Sequence, residues 1–341
     1  MDTNVKKSFL IIMLITIAPF IFGQDVVLIN AVKRGDMVGV QMALQYGANP
    51  NQFFKDGDTV KTALSFAVEQ GNMRIVQALL TDNINGFKAD PNATDGITPT
   101  PLMMAILSKN NSIIEILLKE GGNVSKQLSN GNNALHYAIS GGDFHRFSQG
   151  DSNIVDTILR YGADINQPGQ NGDTPAIMAA KSNRVDILDR FLSDPKFDLK
   201  ITNDDGFNAL TVVLNSGITS NINMFILERL LNTIHFSQIL DLSENKINEK
   251  NYLVELANQG KDVAVKIVCR KDREIAKRTT PSMESVPFLL VGIQNGWSVD
   301  LIEMLVNNFP KWENLRDSLG KDALGYMNEY GRINMYGDIL K

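Results

Sequence analysis

"NGNNALHYAISGG" at 130–142, "NGDTPAIMAAKSN" at 171–183 and "DDGFNALTVVLNSG" at 204–217 are three copies of one local plan. In each, Gly follows Asn or Asp, the chemistry of a tight turn, because Gly reaches positive φ at no steric cost. Three residues on, Ala or Pro opens a helix; Pro is tolerated there because the first helical N–H has no intrahelical acceptor. An apolar anchor follows at once (Leu135, Ala176, Leu210), and Gly or Asn ends the helix seven residues after it. A second apolar pattern then begins, as in "IVDTILRYGADIN" at 154–166. Each unit reads as turn, helix, turn, helix.

Carried along the chain, the anchor falls at Leu28, Leu64, Leu102, Leu135, Ala176, Leu210, Leu253, Leu289 and Leu324, at intervals of 33 to 43 residues. Ala31, Ala67, Ala105, Ala138 and Ala179 lie three residues after their anchors and so share one helix face with them, where a small residue lets neighbouring helices approach. Second helices supply larger filling, such as Ile75, Val76, Leu79 and Leu80. No unit can bury that stripe alone, so the units must stack.

The chain resembles ankyrin-repeat proteins, whose period is near 33 residues. "DGITPTPLMMAI" (95–106) carries the family's Thr-Pro-Leu, "YGANPN" (46–51), "ADPN" (89–92) and "YGADIN" (161–166) its closing Gly-Ala-Asp and Asn, and "GNMRIVQALL" (71–80) its second helix. The resemblance implies an all-α fold, an ankyrin-repeat solenoid over 24–341 with about nine helix-turn-helix units and short hairpin-like turns. The units fall near 24–54, 55–92, 93–125, 126–166, 167–200, 201–240, 241–280, 281–314 and 315–341. The last three depart from the pattern: Leu256 and Gly292 stand where Ala is expected, and one extra residue separates Gly296 from the apolar run at Val299.

Composition is that of an ordinary folded chain, with 43% hydrophobic and 21% charged residues. A formal net charge of −5 gives no global attraction for nucleic acid. A single cysteine, Cys269, excludes an intrachain disulfide and a multi-cysteine zinc site. No metal and no cofactor are expected. Lys6 and Lys7 before an apolar run from Phe9 to Phe22 read as a signal peptide over 1–23, too short and too interrupted at Pro19 to span a membrane. The expected product is periplasmic or secreted, from a bacterium by its Lys-, Asn- and Ile-rich composition, with no membrane insertion once the signal is removed.

His136 follows its anchor directly, where the family resemblance implies a scaffold histidine bonded to nearby backbone or to the helix-opening residue; Asn133 stands there in place of Thr. Cys269 falls on an apolar stripe and reads as an inert core thiol. The basic run Lys266–Arg278, interspersed with Asp272 and Glu274, reads as a solvated helix end and linker. His145 lies in an insertion, "FHRFSQGD" (144–151), which reads either as a solvated bulge or as a contact patch of Phe144, His145, Arg146 and Phe147; Asp143, His145 and Asp151 offer too few ligands for a metal.

Lacking a phosphate loop, nucleophile elbow or metal motif, the sequence reads as a non-enzymatic scaffold. The resemblance implies a monomer that binds a protein partner on the concave face of the array. On that face the pattern places Phe53, Phe54, Glu69, Gln70, Ile97, Asn132, Lys181 and Phe207. Because side chains alternate along an extended segment, Phe53 and Phe54 cannot both point inward. Two alternatives stay open: an inhibitory, immunity or accessory protein of an exported enzyme, and a hydrolase using the His145 loop.

Overall fold

A computed structural model describes residues 23–81, 86–141, 152–216, 221–233, 238–245 and 247–340. The chain divides into two units, Met1–Asp164 and Ile165–Lys341. In the first, α1 (23–34) and α2 (Met37–Gln45) lead into a hairpin of β1 (Phe54–Asp56) and β2 (Thr59–Lys61). The hairpin is antiparallel, with Phe54 opposite Lys61 and Asp56 opposite Thr59. Three more helix pairs follow: α3 (Ala63–Glu69) with α4 (Met73–Leu80), α5 (Pro101–Leu107) with α6 (Asn111–Lys119), and α7 (Ala134–Ser140) with α8 (Ser152–Arg160).

The second unit holds α9 (Pro175–Lys181) with α10 (Val185–Leu192), and α11 (Ala209–Asn215) with α12 (Asn221–Thr233) and the short α13 (Ile239–Leu242). A two-stranded turn, β3 (Glu244–Asn245) with β4 (Lys250–Asn251), precedes α14 (Tyr252–Asn258) and α15 (Asp262–Lys271). The chain closes with α16 (Phe288–Asn295) and α17 (Val299–Asn308), then α18 (Ala323–Glu329) and α19 (Ile333–Tyr336). Among the described residues no helix is long and apolar enough to cross a membrane.

Most first helices run only seven residues, too short to be stable in isolation. Two things hold them. Each starts two residues before its anchor on a polar cap: the side chains of Thr62, Thr100, Asn133, Thr174, Asn208, Asn251 and Asp322 each accept an N–H of their own first turn, a contribution of about 1 kcal/mol apiece. Each also packs against its own second helix and, within a unit, against its neighbours, as α3 does with α4 and α5, and α11 with α9, α12 and α14. Eight of the nine anchors are buried; Leu324, in the last described helix pair, is 58% exposed.

Polar side chains tie neighbouring repeats where no sheet does. Asn51 donates to the carbonyl of Lys88 at 2.9 Å and accepts the N–H of Asp90 at 2.7 Å. Asn92 does the same with Gly121 and Asn123, and Asn166 with Lys196 and Asp198. These are the closing asparagines of the repeat motif. Each satisfies two backbone groups of the next repeat that would otherwise lack partners.

The two departures near Gly292 and Val299 are one device. The extra residue between Gly296 and the cap Ser298 is Trp297, whose buried ring packs edge-on against Phe288, centroids 4.8 Å apart, and donates through Nε1 to Asn258 at 2.6 Å. A Cβ on Gly292 would lie 2.6 Å from that ring. Glycine therefore replaces Ala where the tryptophan fills the space.

Candidate partner-binding face

Before four of the first helices the chain forms a finger closed by a backbone bond across five residues: the Leu128 N–H to the Asn132 carbonyl, Gly169 to Asp173, Asn203 to Phe207, and Asp317 to Lys321. The tip is set by a side chain. Asp95 Oδ1 accepts the N–H groups of Ile97 and Thr98 at 3.0 and 2.6 Å, and these bonds, that from Thr98 foremost, hold its carboxyl below the ordinary carboxylate range. Asn245 and Asp317 accept from Ile247 and Leu319, each two residues on, at 2.9 Å. Such Asx turns fix the backbone and turn the next aliphatic side chain outward.

The result is that Ile97 is 75% exposed, Ile247 65% and Leu319 87%. A single exposed aliphatic is unremarkable on any protein surface. The same residue class at the same turn position on three fingers is a pattern. The repeat pattern places Ile97 on the binding face and does not place Ile247 or Leu319 there, although the signal for an exposed tip, Asn or Asp two residues before an aliphatic, is present in the sequence at all three.

In the first unit, Lys61 at the finger base bonds Asp56 and Glu69, each at 2.9 Å. Lys61 holds the Asp56 carboxyl below its ordinary range. Burial alone would lower the Lys61 ammonium, but its two carboxylate partners outweigh that and raise it. Lys33 lies 3.6 Å from Asp56 and 4.3 Å from the Phe66 ring centroid, and Gln70 donates to the Lys33 carbonyl at 3.0 Å. Glu69 and Gln70 are both exposed. Phe53 points outward, 39% exposed, while Phe54 is half-buried.

Asn132 requires a correction: it is 1% exposed. It occupies the finger-base position of Lys61, but its short side chain cannot carry a polar head out to water as lysine does. In the second unit Lys181 is exposed and bonds Asp173 at 2.6 and 2.9 Å, and Asp173 also accepts from Asn203 at 2.7 Å. Phe207 is half-buried against the Tyr252 ring, 5.8 Å between centroids. Lys61–Glu69, Asp173–Lys181 and Lys321–Glu329 all join a finger base to the last turn of its helix eight residues on. Phe144, His145, Arg146 and Phe147 lie outside the described residues.

His136 is fully buried at the third position of α7. Its Nδ1 lies 3.3 Å from the Asn133 N–H, from which it accepts, and 2.7 Å from the Asn133 side-chain oxygen. The ring caps its own helix. We expect His136→Ala to lower stability by about 1 kcal/mol; a melting curve identical to that of the unaltered protein would show that the cap contributes nothing. The Cys269 thiol is buried, and burial first, then the neighbouring Asp272 carboxylate, pushes its pKa up, away from reactivity. The basic run needs correction at Asp272, which is fully buried and bonds the partly exposed Arg278. Among the described residues no group of three His, Cys, Asp or Glu side chains is placed to hold a metal ion.

Comparison with known proteins agrees with this geometry. The family model described as ankyrin repeats (3 copies) matches residues 64–147 and 144–238, together just over half of the chain. An ankyrin repeat protein of Acanthamoeba polyphaga mimivirus is 34% identical over 28% of this chain and 13% of its own length. The mouse B-cell lymphoma 3 protein homolog is 34% identical over 37% of this chain and 26% of its own length. A fowlpox virus ankyrin repeat protein is 27% identical over 71% of this chain and 70% of its own. The chain thus spans a minor part of the first two relatives. Repeats of this kind are generally protein–protein interaction modules. With capped seven-residue helices, finger turns and bridging asparagines recurring at the family's period, and the family model matched from Leu64 to Gln238, the chain belongs to the ankyrin-repeat family.

Proposed function

We propose that this protein is a non-catalytic scaffold that binds a protein partner through its finger tips and the exposed ends of its first helices. The observation that carries the reading is the outward aliphatic tip, repeated at Ile97, Ile247 and Leu319 on turns rigidified by Asp and Asn side chains. Rigid apolar groups lose little entropy on binding and gain by being desolvated. The first unit also exposes Phe53, Glu69 and Gln70, an aromatic and two hydrogen-bonding groups. Lys181 and the edge of Phe207 serve the second unit, and the 144–147 patch belongs to the same reading. We also read residues 1–23 as an export signal, so binding takes place outside the cytoplasm; a mature N-terminus at Met1 would refute that part.

The test is crosslinking in the native host followed by quantitative capture. Ile97→Glu combined with Phe53→Ala is expected to weaken partner recovery by about tenfold or more, since each central contact is worth about 1 kcal/mol or more. Arg74→Ala, exposed on α4, should leave recovery unchanged. Equal recovery by both variants would remove the finger face as the binding surface.

A further inference from the structure

The repeats within each unit meet in a fixed register, and the first and last described repeats each expose one half of it. The residue just before the anchor is buried in every repeat from Ala63 to Ala323, but Val27 of the first repeat is 45% exposed. The anchor itself is buried in every repeat but the last, where Leu324 is 58% exposed. Two methionines extend these surfaces: Met42 is exposed at the position that is half-buried at Ala78 and Ile116, and Met335 at the position that is buried at Ile75 and Ile113. Terminal repeats of a soluble array ordinarily present a polar outer face. These do so only in part.

The polar contacts repeat in the same register. The residue six after the anchor reaches the residue five after the preceding anchor: Gln70 bonds Lys33, and Asn295 bonds Asn258, both at 3.0 Å. Three glycines seven after an anchor are approached by the residue eight after the next one, Gly35 by Asn72, Gly71 by Asn110 and Gly296 by Arg332, whereas Gly260 has nothing within 4 Å. At the last described repeat these positions are Glu329 and Gly331. At the first repeat they are Arg34 and Asp36, both exposed. Extending the register across two chains puts the Arg34 guanidinium against the Glu329 carboxylate, which can hold Lys321 and a second cation together.

We propose that copies of this chain associate head to tail, the first repeat of one seating on the last repeat of the next in the register of neighbouring repeats. This departs from the monomer expected from the sequence. A heterologous contact of this kind leaves a free half at each end, so assembly continues past the dimer unless a ring closes. It is independent of partner binding at the fingers.

Sedimentation velocity on the purified chain, its N-terminus read by mass spectrometry, tests the proposal. The weight-average mass should rise with concentration beyond that of a dimer. Leu324→Asp and Val27→Asp should each sediment as monomers with unchanged helical circular dichroism, while their equimolar mixture should give a dimer and nothing larger. Arg34→Glu and Glu329→Arg should each weaken association about tenfold, the size of one interfacial ion pair, and the chain carrying both changes should regain it. A monomer at every concentration overturns the proposal. So does association that survives Leu324→Asp, or a charge swap that fails to restore it.

Discussion

Arg278→Ala is expected to lower the stability of the Ile165–Lys341 unit by about 3 kcal/mol. Asp272, immediately after α15, is fully buried. Its Oδ2 accepts from Arg278 Nε at 2.5 Å and its Oδ1 from the Glu274 N–H at 3.0 Å. Removing the guanidinium leaves a buried carboxylate with one backbone donor, and an uncompensated charge in a low-dielectric site is among the costliest single defects. Arg278 is one-fifth exposed, which places the loss at the low end of the range for buried pairs. Its backbone carbonyl, which takes the Phe288 N–H at 2.8 Å, is untouched by the change. Pairing Arg278→Ala with Asp272→Ala should recover part of the loss, because the desolvated charge goes too. Urea denaturation measures both, and a loss under 1 kcal/mol for Arg278→Ala would mean that the pair acts as a solvent-screened one.

That pair was invisible in the sequence for a physical reason. Between Lys271 and Arg273, Asp272 looks like one more solvated charge in a helix end. Its burial depends on where the single turn Ile275–Lys277 folds back, and on α16 and α17 packing over that turn. The ion pairs eight residues apart escaped for a similar cause: the repeat pattern places Glu69 and Lys181 on the binding face, and the finger-base pair to which each belongs is visible only once the turn is closed.

What could be read was governed by local chemistry. The anchors imply a helix start two residues earlier, and at seven of those positions a Thr, Asn or Asp side chain takes up a first-turn N–H. Pro287 stands at the eighth, before α16, and no side chain caps that helix. The outward Phe53 and half-buried Phe54 follow from the two-residue alternation of a strand. Asn132 did not follow, because its position fixes the finger base and not which way a short amide turns.

Trp297→Ala is expected to cost about 3–5 kcal/mol, the range for removing a buried large aromatic. The substitution empties the space between Phe288 and Gly292 and leaves the Asn258 side-chain oxygen without its indole donor. The stronger test is the sign of Gly292→Ala in two backgrounds. In the unaltered protein the new Cβ would stand 2.6 Å from Trp297 Cε3 and 2.8 Å from Ile302 Cδ1. The methyl end of Ile302 can yield, but the indole is pinned by its bond to Asn258 and by the Phe288 contact. Overpacking of about 1–3 kcal/mol therefore exceeds the gain of up to about 1 kcal/mol from replacing a mid-helix glycine, and the variant loses stability. With Trp297 already replaced by Ala, the ring is gone and the same Gly292→Ala change should add stability, since helix propensity then acts without the clash. A double-mutant cycle by thermal denaturation should show coupling of about 1–3 kcal/mol between the two positions. Additive effects would mean that the glycine and the extra tryptophan arose without reference to each other, and that the departure of this repeat from the family pattern is two unrelated changes.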